Sequence, residues 1–168
     1  DANGDLVSDE ALGSFEEALE VVTDGCSIIA EEGYFINLDN VSLNKDATYT
    51  ICGEYEGIDS SISITNGILV NAGNVTFENI TCDGTITVNN NASVTINGGT
   101  YTAQDNIILA NGSGNITVTG GAVLDKSANN SNHCIHASAT ASGTITFDDA
   151  TLKNAKWGRI FDVTGTQN

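Results

Sequence analysis

Val94-Thr95-Ile96-Asn97-Gly98-Gly99-Thr100 sets an apolar, a threonine and an apolar residue ahead of a glycine corner, and the chain returns to that triplet repeatedly. Val75-Thr76-Phe77, Ile116-Thr117-Val118 and Ile145-Thr146-Phe147 repeat it, and the steps from Val75 to Val94, Ile116 and Ile145 are 19, 22 and 29 residues. Steps of that size match one turn of a β-solenoid plus a loop of variable length, and such self-similarity signals stacked coils. Stacking in register would place Val75, Val94, Ile116 and Ile145 in one inner column and Phe77, Ile96, Val118 and Phe147 in a second. Thr76, Thr95, Thr117 and Thr146 would form an outer column, because alternate side chains of a strand face opposite ways. A third inner column is expected through Ile80, Gly99, Gly121 and Ala150, followed by Cys82, Tyr101, Val123 and Leu152.

Away from the repeats the same alternation continues. Cys26 to Ile29, Tyr34 to Leu38, Val41-Ser42-Leu43, Tyr49-Thr50-Ile51 and Ile62-Ser63-Ile64 read as earlier strands. Thr85 to Val88, Asn106 to Leu109, Cys134 to Ala137 and Arg159 to Phe161 supply a second strand within later coils, and Ser127 to Asn132 the largest loop. Ser14 can cap a helix over 14–23, with Glu16 and Glu17 at its positive end and Phe15, Ala18, Leu19 and Val22 as an apolar stripe. The expected organisation is an N-terminal extension over 1–13 and one domain over 14–168, with 14–23 as its capping helix.

The chain has 168 residues, no proline, no methionine and a formal net charge of −17. Fifteen of its 22 acidic residues lie within 1–60 beside a single base, Lys45, whereas Lys126, Lys153, Lys156 and Arg159 all lie late in the chain. A charge of this sign and size argues against nucleic acid and anionic membrane as partners. No apolar run reaches the ~20 residues of a membrane helix, and a signal peptide, if the protein is exported, is expected to have been removed.

Four cysteines, Cys26, Cys52, Cys82 and Cys134, are scattered without zinc-site spacing. They are candidates for disulfides in one of three pairings, or for small buried hydrophobes. Asn40, Asn74, Asn79, Asn91, Asn111, Asn115 and Asn129 each head an N-x-S/T sequon and are candidate glycosylation sites.

The chain resembles the right-handed parallel β-helix of the pectate-lyase-like superfamily, and within it the adhesin-like surface proteins of bacteria and archaea. Ser14-Phe15-Glu16-Glu17-Ala18, Asp24-Gly25 and Ile28-Ile29 carry the resemblance as a helix-then-strand opening, together with the phrases Val94 to Thr100 and Ile116 to Ala122. It implies an all-β solenoid with one N-terminal capping helix, but it does not assign an activity.

Enzymes of that superfamily act on polysaccharides, and such chemistry needs a base beside calcium-binding carboxylates, or two carboxylates a few Å apart. Asp125, Asp148, Asp149, Lys153 and Arg159 are the residues that could line a shallow carbohydrate groove. Asp148 and Asp149 are adjacent and should diverge, so a non-catalytic protein is expected. Asp1, Asn3 and Asp5 have the spacing of half a calcium loop, but Leu6 and Leu12 stand where the glycine and glutamate are needed. Calcium is thus the one ion considered, and no other cofactor is expected. His133-Cys134-x-His136 could offer one edge of a metal site, with Cys134 and His136 on the outer face. The threonine column has the look of an ice-binding ladder, although threonine simply suits exposed strands.

A solenoid leaves unpaired backbone at its last coil. Trp157, Arg159, Ile160, Phe161 and Val163, with Lys153 and Lys156, are expected to form an open, mildly basic end facing the acidic N-terminal region. The expected function is an extracellular structural or adhesive element, either an adhesin module or a filament subunit joined head to tail. Its partners are then copies of itself, neighbouring domains of a larger surface protein, or carbohydrate.

Overall fold

A computed structural model of the chain describes residues 12–54, 59–128, 132–153 and 158–164. It opens on helix α1 (Phe15–Val21), whose N-cap Ser14 accepts the Glu17 N–H on its side-chain oxygen at 3.1 Å. Phe15 and Val22 bury their side chains in the core, while Glu16, Glu17 and Glu20 remain exposed.

Sixteen strands follow among the described residues, and every pairing between them is parallel. One sheet stacks β1 (Cys26–Ile28), β3 (Thr48–Cys52), β5 (Asn74–Glu78), β8 (Ser93–Asn97), β11 (Ile116–Thr119) and β14 (Ile145–Phe147) in that order. The other is built around two long strands, β2 (Phe35–Leu43) and β4 (Ser61–Val70). Later coils break the same path into two pieces. β6 (Thr81–Asp83), β9 (Thr100–Thr102), β12 (Ala122–Asp125) and β15 (Ala150–Lys153) continue the first half of β4. β7 (Ile86–Val88), β10 (Ile108–Ala110), β13 (Ile135–Ala137) and β16 (Phe161–Val163) continue its second half. An all-β arrangement of parallel strands in curled sheets, one layer per turn of chain, is compatible with a β-helix or solenoid-like fold.

The two inner columns foreseen from the triplets are present, and both extend upstream. Cys26 and Tyr49 head the first column above Val75, and Ile28 and Ile51 head the second above Phe77. Tyr49, Val75, Phe77, Val94, Ile96, Ile116 and Val118 are each at most 2 % exposed. Each such aliphatic side chain contributes about 1.5–3 kcal/mol relative to exposure, which is why no coil is stable without its neighbours.

The third and fourth columns differ from expectation by one residue. Val123 lies opposite Thr100, and Leu124 lies between Tyr101 and Leu152, so Leu124 and not Val123 points inward. The corner Thr119-Gly120-Gly121 carries one residue more than its counterpart at Asn97-Gly98. Gly121, at φ +75° with open space where a side chain would stand, absorbs the extra step.

All four cysteines are free and buried, which corrects the disulfide expectation. Cys26 lies opposite Tyr49, three residues short of Cys52, so those two are about 10 Å apart along the strand direction. That exceeds the ~7 Å Cα separation a disulfide can span. Cys82 occupies the inner column between Ile64 and Tyr101 as an ordinary core residue.

Candidate functional site

The polar residues that decorate the stack are aligned by the same register as its core. At the end of the second half of the first four coils, Asn44, Asn71, Asn89 and Asn111 form a ladder. Asn71 donates Nδ2 to Asn44 Oδ1 at 2.8 Å, Asn89 to Asn71 at 2.9 Å, and Asn111 to Asn89 at 3.2 Å. An apolar residue followed by asparagine, as in Leu43-Asn44, Val70-Asn71, Val88-Asn89 and Ala110-Asn111, was the available signal, hidden by the abundance of asparagine elsewhere.

A second outer column runs Asp39, Thr65, Asp83, Thr102, Asp125 and Lys153, one residue per coil. Thr102 Oγ1 donates to Asp83 Oδ1 at 2.9 Å, and Lys153 Nζ donates to Asp125 Oδ2 at 2.9 Å. Ser127 gives Asp125 Oδ1 both its hydroxyl (2.5 Å) and its backbone N–H (2.9 Å). The Ser127 hydroxyl first and Lys153 second hold the Asp125 carboxyl at a pKa of about 2. The threonine column on the first sheet is longer than the repeats suggest, since Ser27 and Thr50 precede Thr76 in it.

Among the carbohydrate-groove candidates, only Asp125 and Lys153 are brought together. Asp149 stands at the corner before β15 at φ +56°, four positions along the ladder from Asp125, or about 13 Å. That is wider than the ~5–9.5 Å between the carboxylates of glycoside hydrolases. Arg159 instead pairs with Asp162, Nη1 to Oδ1 at 3.8 Å, and its side chain is 75 % exposed.

The His133-Cys134-His136 expectation is also revised. Cys134 is fully buried and its thiol donates to the Lys153 carbonyl at 3.4 Å, because the chain turns it inward ahead of Ile135. The outer pair is His136 with Asp162, Nδ1 to Oδ2 at 2.9 Å, and His133 Nε2 lies 3.7 Å from the same oxygen. The backbone N–H of Arg159 donates to His133 Nδ1 at 3.1 Å. Asp162 escaped the sequence reading because it is a coil away, directly beside His136 only after stacking. Among the described residues, no group of three or more His, Cys, Asp or Glu is placed to hold a metal ion. Asp1, Asn3 and Asp5 lie outside the described residues.

Lys126 was also missed. Its side chain is fully buried, and Nζ donates to the carbonyls of Ala103 and Gln104 at 2.7 and 2.9 Å and to that of Asp105. Loss of hydration lowers its pKa, and the carbonyl cage compensates the buried charge.

Of the sequon asparagines, Asn40, Asn74, Asn79, Asn91 and Asn115 are exposed, whereas Asn111 is half-buried and belongs to the ladder. Asn129 lies outside the described residues.

The two ends of the stack differ from its flanks. The large hydrophobic side chains exposed among the described residues are Leu12, Val21, Ile29, Tyr34, Phe35, Phe161 and Val163. The first five belong to α1, its approach or the first coil, and the last two to the final strand. In β16 the alternation that buries Ile135 and Ala137 one coil earlier leaves Phe161 47 % and Val163 52 % exposed. Phe161 meets Phe147 edge to face with ring centroids 5.2 Å apart, and Arg159 and Lys153 border the same end. Ile160 is half-buried beside them, and Trp157 and Lys156 lie outside the described residues.

Comparison with known proteins finds no matching family model, no matching curated protein and no matching solved structure.

Proposed function

We propose that this chain is a non-catalytic, extracellular structural or adhesive β-helix, right-handed and of the pectate-lyase-like kind, that works by end-to-end contact with copies of itself or with neighbouring modules. Parallel strands linked by crossovers are right-handed in nearly all proteins, which supports that hand here. One observation carries the functional reading: large apolar side chains are exposed at the two ends of the stack, while its flanks carry small polar columns. The first coil and α1 are acidic, whereas the last coil sets Lys153 and Arg159 among Asp148, Asp149 and Asp162, so the charge contrast between the ends is local to those two bases. A contact between opposite ends is heterologous and gives fibres when it does not close. Light scattering over a concentration series, with negative-stain microscopy, is expected to show growing assemblies or filaments. A monodisperse monomer at high concentration, without filaments, would sink self-assembly.

A second reading, polysaccharide binding on a flank, is favoured by Asp39, Asp83 and Asp125 recurring at every second coil, about 10 Å apart. Co-sedimentation with insoluble polysaccharides, and a cleavage screen with and without calcium, tests it. Binding abolished by Asp83→Ala would favour it over the first reading.

A further inference from the structure

Two strand edges at opposite ends of the stack are unpaired among the described residues, in complementary ways. Phe35 to Asp39 of β2 pair with Ser61 to Thr65 of β4 on one side and with no strand on the other among the described residues. The helix does not cover this stretch. Leu19 and Glu20 of α1 stand beside Ser42, Asn44 and Lys45, where Lys45 Nζ donates to the Glu20 carbonyl at 2.7 Å. Accordingly Val41 and Leu43 are buried, but Ile36 and Leu38 are only half-buried and Phe35 is 67 % exposed. At the other end, Ala150 to Lys153 of β15 pair with β12 alone. Among the described residues each edge offers a row of backbone donors and acceptors that no strand takes up, which is a template for another strand.

The columns say which residues would meet. Ile36 and Ala150 are the first and last members of one inner column, and Leu38 and Leu152 those of the next. Asn37 and Thr151 close one outer column, and Asp39 and Lys153 the other. We propose that β15 of one copy adds as a parallel strand to β2 of the next, setting Ala150 beside Ile36, Thr151 beside Asn37, Leu152 beside Leu38 and Lys153 beside Asp39. The inference rests on the end-to-end reading above and names its partner as a second copy.

Three features select this register. A slip of one residue would turn Lys153 inward against apolar side chains and Leu152 outward. A slip of two would separate Lys153 from Asp39, the only opposite charges the two edges carry. The acid-hydroxyl column has its one base on the last coil and an acid on the first, so its continuation across copies brings Asp125, Lys153 and the next Asp39 into one line. Because α1 stands over the Val41–Leu43 side, the added ladder is confined to the Phe35–Asp39 side.

The test uses the full chain. Asn37→Cys and Thr151→Cys copies are mixed and oxidised, with Thr95→Cys on the other sheet as the control partner. The expected result is a disulfide between the Asn37→Cys and Thr151→Cys copies and none with the control. Asp39→Lys is expected to weaken self-association about five- to tenfold, and Asp39→Lys with Lys153→Asp in one chain to restore it. Lys153→Asp also removes the partner of Asp125, so circular dichroism checks its fold; if it fails, Asp39→Lys and the cross-link carry the test. Self-association that survives Asp39→Lys without the cross-link overturns this register and leaves end-to-end contact standing. An unaltered chain that never self-associates overturns both.

Discussion

Lys153 Nζ and Asp125 Oδ2 lie 2.9 Å apart on adjacent coils, joining the last coil to the body of the stack on its outer face. Their side chains are 51 % and 23 % exposed, so solvent screens the pair and its worth is about 0.5–1 kcal/mol.

The pH dependence of that contribution has a definite sign. Asp125 has a folded pKa of about 2, below the ~3.9 of an unfolded aspartate, so its stabilisation is complete above about pH 4 and fades as pH falls toward 2. Urea denaturation of the unaltered chain and Asp125→Asn should therefore differ at pH 7 and converge near pH 2. A gap that stays constant across that range would contradict the assignment.

Four thiols per chain are expected in an Ellman titration of denatured, unreduced protein, because all four cysteines are free. In the native state Cys26 should be alkylated first. The Thr23 hydroxyl lowers its pKa, whereas burial pushes Cys52 up to about 11 and Cys82 up to about 12. Peptide mass mapping after brief iodoacetamide treatment reads the order directly.

Lys126→Met is expected to cost about 3 kcal/mol, since it withdraws the ammonium that Ala103, Gln104 and Asp105 share as acceptors. A loss below about 1 kcal/mol in chemical denaturation would mean that the cage closes on itself or admits water.

Asn89→Ala should destabilise the chain by about 1–2 kcal/mol, and Asn44→Ala by less. Asn89 both donates to Asn71 and accepts from Asn111 within the ladder, while Asn44 stands at its end as an acceptor from Asn71. Equal losses would show that the bonds act independently of position.

The triplets made the inner columns legible because period-two alternation and a near-constant step leave one way to stack Val75 on Val94 and Phe77 on Ile96. What escaped was whatever depends on one extra residue or on neighbours a coil away. The additional glycine before Ala122 moves Leu124 inward without altering the local pattern. Asp162 joins His136 only through stacking, and Lys126 looks like any surface lysine until the turn of chain around Ala103 to Asp105 wraps its ammonium. The disulfide reading failed for a similar reason: cysteine spacing along the chain says nothing of a three-residue offset between neighbouring strands.

The ladder bonds between coils run across the strands from one coil to the next, evenly spaced and slanted as in any parallel sheet. Tension along that direction loads one inter-coil joint end-on, whereas tension along the strands shears a whole row of bonds together. The molecule is accordingly strongest when pulled crosswise, and lengthwise it parts at its weakest layer. The coil of β14, β15 and β16, whose strands bury no residue fully, is the layer where such a break begins.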